Sequence, residues 1–244
     1  MKLSLVSPVR NEEGCIQRVL TDVCQHLAAQ KIVYEWILVN DNSSDRTPLI
    51  LEAMAQANPC LRVIHAASPN GFGRAIRRGL DAVTGEAVVI FMGDGSDDAV
   101  DVVRYLRKLE EGFDCVFGSR FMKGSNVDGY PKLKLLLNRL GNKFIQLLFM
   151  IPYNDVSNAF KGYRVGVIRA VQPLVSMYFN ITVEIPLKAL VRNYSYAVIP
   201  INWNGRESGV SKYHIRELSK KYFFSILYVW LEKLLLSEDI RKRV

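Results

Sequence analysis

The strongest constraint on the fold is an alternation in the first half of the chain. Short, unbroken apolar runs are separated by stretches whose apolar residues recur at helical spacing. Leu3–Pro8 reads as a buried strand that ends at a proline. Ile16, Val19, Leu20, Val23 and Leu27 then share one helical face. Trp36–Val39 is a second strand, Leu61–His65 a third and Ala87–Met92 a fourth. Between them, Thr47 reads as an N-cap before Pro48. Asn70–Gly73 opens a helix that runs through Ala75, Ile76, Leu80 and Val83 and stops at Gly85. Strands without a polar face, joined by amphipathic helices, predict a parallel α/β sheet covered on both sides. Polar clusters follow the second and fourth strands, where open α/β sheets bind ligands.

The second half is less regular. Lys132–Met150 places Leu133, Leu136, Leu137, Leu140, Phe144, Leu147 and Leu148 on one face, with Lys132, Lys134, Arg139 and Lys143 opposite. Arg216–Leu236 is an aromatic-rich helix flanked by Lys220–Lys221 and by the basic run Arg241–Arg243. No repeat or low-complexity linker divides the chain. The longest charge-free run, Ala170–Val183, has 14 residues, against the roughly 20 a membrane span needs. No basic region followed by a long apolar stretch opens the sequence, so the reading is a cytosolic chain without a signal peptide.

Charge separates the halves. Residues 1–119 carry 12 Lys+Arg and 16 Asp+Glu, and residues 120–244 carry 20 and 8. Carboxylates in one half suit a cation, and the cations of the other suit phosphates or an anionic membrane. Cys15, Cys24, Cys60 and Cys115 form no C-x-x-C pair, and His26, His65 and His214 do not cluster with them. A zinc site is therefore not expected, and the thiols read as buried and free.

Three clusters hold the candidate chemistry. Asp41 and Asp45 flank Asn42-Ser43-Ser44, a turn able to aim carboxylates at a ribose or base, or merely to satisfy its own backbone. Asp94, Asp97 and Asp98 follow the fourth strand between Gly93 and Gly95 and the next helix. A hard divalent cation, Mg²⁺ or Mn²⁺, would relieve their repulsion, whereas Asp97 and Asp98 also suit a helix N-terminus. Gly71, Gly73 and Arg74 form either a phosphate cradle or a plain helix-entry turn, without the Walker pattern of a P-loop. Arg120, Arg139, Arg206, Ser211 and Lys212 supply cations and a hydroxyl in the basic half, with Gly209 loosening the last segment.

Taken together, Ser7–Glu12, Val39–Thr47, Asn70–Ala75, the Asp94 loop, Gly118–Arg120, Asp155–Asn158 with Phe160, Tyr163 and Arg164, and Arg206–Lys212 resemble the family-two glycosyltransferases of the GT-A fold. Among these the likeness is to the dolichol- and polyprenol-phosphate sugar transferases. The resemblance implies an inverting, metal-dependent transfer from a GDP- or UDP-sugar to a polyprenyl phosphate. Pro8, Arg10, Glu12 and Asp41 would line the nucleoside pocket, and Asp94, with Asp97, would hold the metal. Arg120, Arg139, Arg206 and Lys212 would meet the acceptor phosphate and the leaving diphosphate. Residues 1–212 would form the GT-A unit, with a nucleotide and metal half at 1–119 and an acceptor half at 120–212. Residues 213–244 would associate with the cytoplasmic face of a membrane, beside the Lys132–Met150 helix. Two departures stand out: Met92 occupies the first position of the family's D-x-D, and the C-terminal membrane helices of many relatives are not in this sequence. Core packing, a homodimer or a membrane-protein partner are the other uses of the two helices. Rival functions are transfer to a glycan hydroxyl with Asp97 or Asp98 as base, and an inactive nucleotide-binding scaffold at the membrane. A nucleic-acid binder ranks last, because no recognition motif accompanies the charge.

Overall fold

The computed structural model describes residues 1–205 and 215–240. Its first half runs β1 (Leu3–Val9), α1 (Ile16–Ala29), β2 (Tyr34–Asn40), α2 (Thr47–Ala57), β3 (Leu61–His65), α3 (Phe72–Asp81), β4 (Ala87–Ile90) and α4 (Ala99–Glu110). Then come β5 (Cys115–Ser119), α5 (Lys132–Phe149), β6 (Lys161–Arg164), α6 (Val165–Ala170), α7 (Ile181–Val191), β7 (Tyr196–Pro200), α8 (Ile215–Leu235) and α9 (Ser237–Ile240).

The strands form one sheet in the order β3-β2-β1-β4-β6-β5-β7. β1, β2, β3 and β4 are parallel, as the apolar runs predict. β6 lies antiparallel between β4 and β5, so the sheet is mixed. Strand order departs in opposite directions from β1, which makes the gap between β1 and β4 the topological switch point.

Successive strand side chains point to opposite faces, and the apolar runs divide accordingly. Val6, Ile37, Val39, Val88 and Ile90 enter one core. Leu5, Trp36, Leu38, Ala87 and Val89 enter the other. Polar strand residues on these faces are paired: Trp36 Nε1 donates to Ser7 Oγ at 2.8 Å, and Ser4 Oγ donates to Glu35 at 2.6 Å.

Several boundaries differ from the sequence reading. Thr47 is the first residue of α2 and not its N-cap; the cap position belongs to Arg46, while Asp45 Oδ1 accepts the Thr47 N–H at 3.0 Å. The Thr47 hydroxyl instead accepts from Glu12 N at 2.9 Å. α3 ends at Asp81, four residues before Gly85. Gly85 answers to a different demand, since a Cβ there would lie 2.6 Å from Ser4 Oγ and 2.8 Å from the Lys2 carbonyl oxygen. All four cysteines are free, but Cys24 and Cys60 are only half-buried.

α5 turns its apolar stripe outward. Leu133, Leu140 and Leu147 are 71, 58 and 68% exposed, whereas Asn142, Ile145 and Phe149 face the protein. The buried Asn142 is satisfied by Asn138 and by both the N–H and hydroxyl of Ser157. α8 joins the core through Ile226 and Val229 and exposes Phe223, Phe224, Leu227 and Leu231. A buried ion network fastens it to α7: Lys188 lies 3.5 Å from both Glu184 and Glu232, and Arg192 lies 3.2 Å from Glu232. Among the described residues no helix is long and apolar enough to cross a membrane.

Candidate active site

The parallel register brings three strand ends together. Val9 is level with Asn40, and Phe91 N donates to Val6 O at 3.0 Å. Arg10, Asp41 and the Gly93–Asp98 loop therefore leave the sheet side by side at the switch point. A Cβ on Gly93 would lie 3.0 Å from Val9, which explains a glycine at this crossing.

One side of the site is a frame of two interlocked loops. Asn11 N donates to Ser43 Oγ at 3.1 Å, and Ser44 N donates to Asn11 Oδ1 at 2.8 Å. Glu13 N donates to Asp45 Oδ2 at 3.2 Å, and Arg46 N donates to the Glu13 carboxylate at 2.9 Å. Asp45 therefore braces the loops. Burial opposes its ionisation, but the bonds from Thr47 and Glu13 outweigh this and hold its carboxyl below the usual range. Asp41 is buried, and its carboxylate accepts the Gly71 N–H at 2.9 and 3.2 Å. With the Asn70 amide oxygen turned toward it, Arg10 donates to that oxygen at 2.8 and 3.2 Å. Pro8 lies half-buried on β1 beside Val39, and Glu12 accepts from Cys15 Sγ at 3.4 Å.

The Gly71–Arg74 turn is not a free phosphate cradle. A Cβ on Gly71 would sit 2.5 Å from the Met177 carbonyl oxygen, and one on Gly73 2.6 Å from that of Ser176. Both glycines let α3 start against the backbone of 176–178. Arg74 N donates to Met177 O, its guanidinium donates to Asn70 O at 3.1 Å, and the group lies over the Tyr178 ring.

The acidic loop divides its carboxylates. Asp98 is the N-cap of α4 and accepts from Val100 N at 2.9 Å. Asp94 is buried and accepts from Ser96 N at 3.1 Å and Ser96 Oγ at 2.6 Å. Asp97 is buried and accepts from Met92 N at 2.9 Å. Desolvation, with Asp94 and Asp101 as like charges, pushes Asp97 up to about 8 against the pull of the Met92 bond and Arg120. Among the described residues no group of three or more His, Cys, Asp and Glu could hold a metal ion. Two desolvated, mutually repelling carboxylates do suit a hard cation that draws its remaining ligands from phosphate and water.

The acidic loop rests against residues 201–205. Asn204 N donates to Ser96 O at 3.2 Å, and Asp97 bridges to Trp203. Arg206, Ser211 and Lys212 lie outside the described residues. Arg120 is engaged rather than open. Its Nε and Nη2 donate to the two oxygens of the buried Asp155 at 2.8 and 2.7 Å, and its backbone N–H adds a bond at 2.9 Å. Desolvation works against the guanidinium charge, but Asp155 more than compensates and raises its pKa. From Arg120 a ladder of rings and cations leads outward. Arg120 and Arg139 each lie 5.4 Å from the Phe121 ring centroid, and Tyr130 stands between Arg120 at 5.6 Å and Lys134 at 5.8 Å. Arg139 is exposed on α5.

Sequence reasoning gave no role to Asn11, Asn40, Ser96, Asp155, Phe121, Tyr130 or Trp203. Asp155 carried a signal only as part of the Asp155–Asn158 segment. Its pairing with Arg120, 35 positions away, exists only in the fold.

A mixed, mostly parallel sheet with acidic loops at its switch point is the GT-A architecture. Glucosyl-3-phosphoglycerate synthase from Mycobacterium tuberculosis in complex with phosphoglyceric acid shares it, with a TM-score of 0.71 over 95% of this chain and 79% of that one, at 17% identity. The same enzyme with Mn²⁺, UDP and glucosyl-3-phosphoglycerate aligns at a TM-score of 0.70, again at 17% identity over 95% and 79%. Residues 4–171 match Glycosyl transferase family 2, and the chain belongs to that family. Polyprenol monophosphomannose synthase of Mycolicibacterium smegmatis is 28% identical over 72% of this chain and 69% of its own length. Dolichol-phosphate mannosyltransferase of Pyrococcus furiosus is 26% identical over 87% and 59%. The undecaprenyl-phosphate 4-deoxy-4-formamido-L-arabinose transferase of Shewanella sediminis is 27% identical over 91% and 64%. This chain thus spans between three-fifths and seven-tenths of these relatives.

Proposed function

We propose that this glycosyltransferase moves one sugar from a GDP- or UDP-sugar to a polyprenyl phosphate at a membrane surface, with inversion at the anomeric carbon. The observation that carries this reading is the outward apolar face of α5. The same helix carries Arg139 on its polar side, and Phe121 links Arg139 to Arg120, whose charge acts on Asp97 of the acidic loop. The names of three relatives as transferases acting on polyprenol-type phosphates support the acceptor class.

In this reading the interlocked loops of Asn11 and Ser43, with Pro8, Arg10, Glu12 and Asp41, receive the nucleoside. Asp94 and Asp97 hold Mg²⁺ or Mn²⁺, as the donor set permits, and the bound ion would neutralise charge on the donor diphosphate. An acceptor phosphate is already anionic, so the chain needs no strong base and works by positioning and charge stabilisation. Arg139, Arg206 and Lys212 meet the phosphates. Arg120 holds the 119–130 segment to Asp155 and lends its field to Asp97. The apolar face of α5 and the exposed aromatic residues of α8 lie in the headgroup region on the cytoplasmic side.

The test is a transfer assay on the purified chain with radiolabelled UDP- and GDP-sugars, Mg²⁺, Mn²⁺ or EDTA. Its acceptor arms are polyprenyl phosphate, the matching polyprenol and a glycan hydroxyl. Transfer to polyprenyl phosphate that EDTA stops is the expected result. Transfer to the hydroxyl alone would replace this reading with the one in which Asp97, held near 8, acts as a base.

A further inference from the structure

The frame assigned to the donor depends on a chain of side chains that leads away from it. Asn40, at the end of β2, is buried and stands in register with His65 of β3. Asn40 Nδ2 lies 3.0 Å from His65 Nδ1, and His65 Nε2 lies 2.7 Å from the Glu52 carboxylate. The partners settle the proton. A carboxylate only accepts, so Nε2 carries the hydrogen; Nδ1 keeps its lone pair and accepts from the Asn40 amide. The amide oxygen of Asn40 is thereby turned toward Ser43, whose N–H donates to it at 3.1 Å. From Ser43 the order passes to Asn11 and back to Ser44 through the two bonds of the interlocked loops. Asn11 and Asn42 sit at φ of 55° and 54°, left-handed conformations that a side-chain-bearing residue keeps only where its surroundings hold it.

We propose that His65 is a positioning residue for the nucleotide-sugar: by fixing which way the Asn40 amide faces, it holds the 41–44 turn and, through Asn11, the loop after β1 in the shape that receives the nucleoside. The inference rests on the donor reading above. Among the described residues, the hydrogen bonds of the His65 side chain go to Asn40 and Glu52 and to neither loop. Its leverage comes from the buried amide, which has one oxygen and one nitrogen and so has a single orientation that satisfies both His65 and Ser43. Removing the acceptor at Nδ1 leaves only the Ser43 N–H to orient the amide, so the preference weakens and the Ser43 N–H loses its partner for part of the time.

His65→Ala deletes that acceptor, and His65→Asn restores an amide oxygen near where Nδ1 stood. Two measurements on the full chain decide the matter. Amide hydrogen exchange at Ser43 and Ser44, without nucleotide, reads the turn directly. Steady-state transfer, together with titration of UDP and GDP in the presence of Mn²⁺, reads donor binding. For His65→Ala, exchange at both amides accelerates, and the donor KM rises roughly tenfold as the buried Asn40 amide loses the acceptor of its N–H. kcat and the acceptor KM stay within about twofold of wild type. His65→Asn returns both readouts toward wild type. Unchanged exchange in His65→Ala, an Asn variant as impaired as the Ala variant, or equal rises in donor and acceptor KM would each overturn the proposal. Wild-type protein that binds neither UDP nor GDP would sink the donor reading and the proposal with it. Because the exchange result needs no nucleotide, that failure is distinguishable from a failure of His65 to order the turn.

Discussion

At the scale of single residues, the site shows carboxylates with opposite fates. Asp45 is stabilised as an anion by backbone N–H groups, whereas Asp97 is driven toward its neutral form by burial beside Asp94. The sign of the consequence follows. Folded Asp97 keeps its proton up to about 8, and an unfolded aspartate releases it near 4, so its contribution is whole below about pH 4 and fades as pH climbs through 8. Asp97→Asn keeps an oxygen for the Met92 N–H and removes the buried charge. In EDTA its melting temperature should therefore gain on wild type as pH rises from about 5 to about 9, while Mn²⁺ binding falls roughly tenfold or more. A difference in melting temperature that does not change with pH would show that Asp97 does not titrate in this window. Arg120 gives the complementary case. Asp155→Asn strands a buried guanidinium and should cost about 3–5 kcal/mol in urea unfolding. A loss below about 1 kcal/mol would mean the pair is open to water.

At the scale of elements, the glycines of α3 serve packing. Gly73→Ala forces a Cβ into the backbone of Ser176 and Met177 and should destabilise the protein by about 1–3 kcal/mol, the usual cost of overpacking. If the variant instead kept its stability and lost only nucleotide affinity, the cradle reading of this turn would return. α7 explains why the second half resisted periodicity. It is buried nearly all round, contains Pro186, and carries Glu184 and Lys188 inside, where an ion network matches them to α8. No amphipathic stripe exists for such a helix. β6 hides in the same way: Lys-Gly-Tyr-Arg looks like a loop, yet Lys161 is buried. Desolvation pulls Lys161 down to about 7, while the carbonyls of Val156, Asn158 and Thr182 offer as many acceptors as an ammonium has donors.

At the scale of the whole molecule, the acidic and basic halves meet along one sheet. The first supplies the switch-point carboxylates. The second, with 20 Lys+Arg against 8 Asp+Glu, supplies the cations and the outward apolar face of α5. Binding to vesicles containing anionic lipid should weaken as salt rises from about 0.05 to about 0.5 M, because screening removes the electrostatic part. Replacing Leu136, Leu140 and Leu147 together by Ser should weaken vesicle binding at least tenfold and leave the melting temperature nearly unchanged, since these side chains are already in water. Cosedimentation measures the first effect and thermal unfolding the second. A large drop in melting temperature would show that the face packs against protein.

Local sequence determined the parallel half of the sheet. Unbroken apolar runs at Trp36–Val39 and Ala87–Ile90 can be satisfied only by cores on both faces, and the polar clusters behind them mark the binding edge. The position of Asp41 and Asp94 at that edge was legible for that reason. Tertiary structure decided which partners each of these polar groups meets. Asp45, Asp98, Gly73 and Arg120 all carry the residue types of a site, and each is claimed by a backbone or a buried partner: a local cap bond for Asp98, and for Asp45, Gly73 and Arg120 groups that only the fold brings near. The physical reason is that a side chain's chemistry depends on which of its hydrogen bonds are already made. Partners 35 positions apart in sequence leave no trace in local pattern.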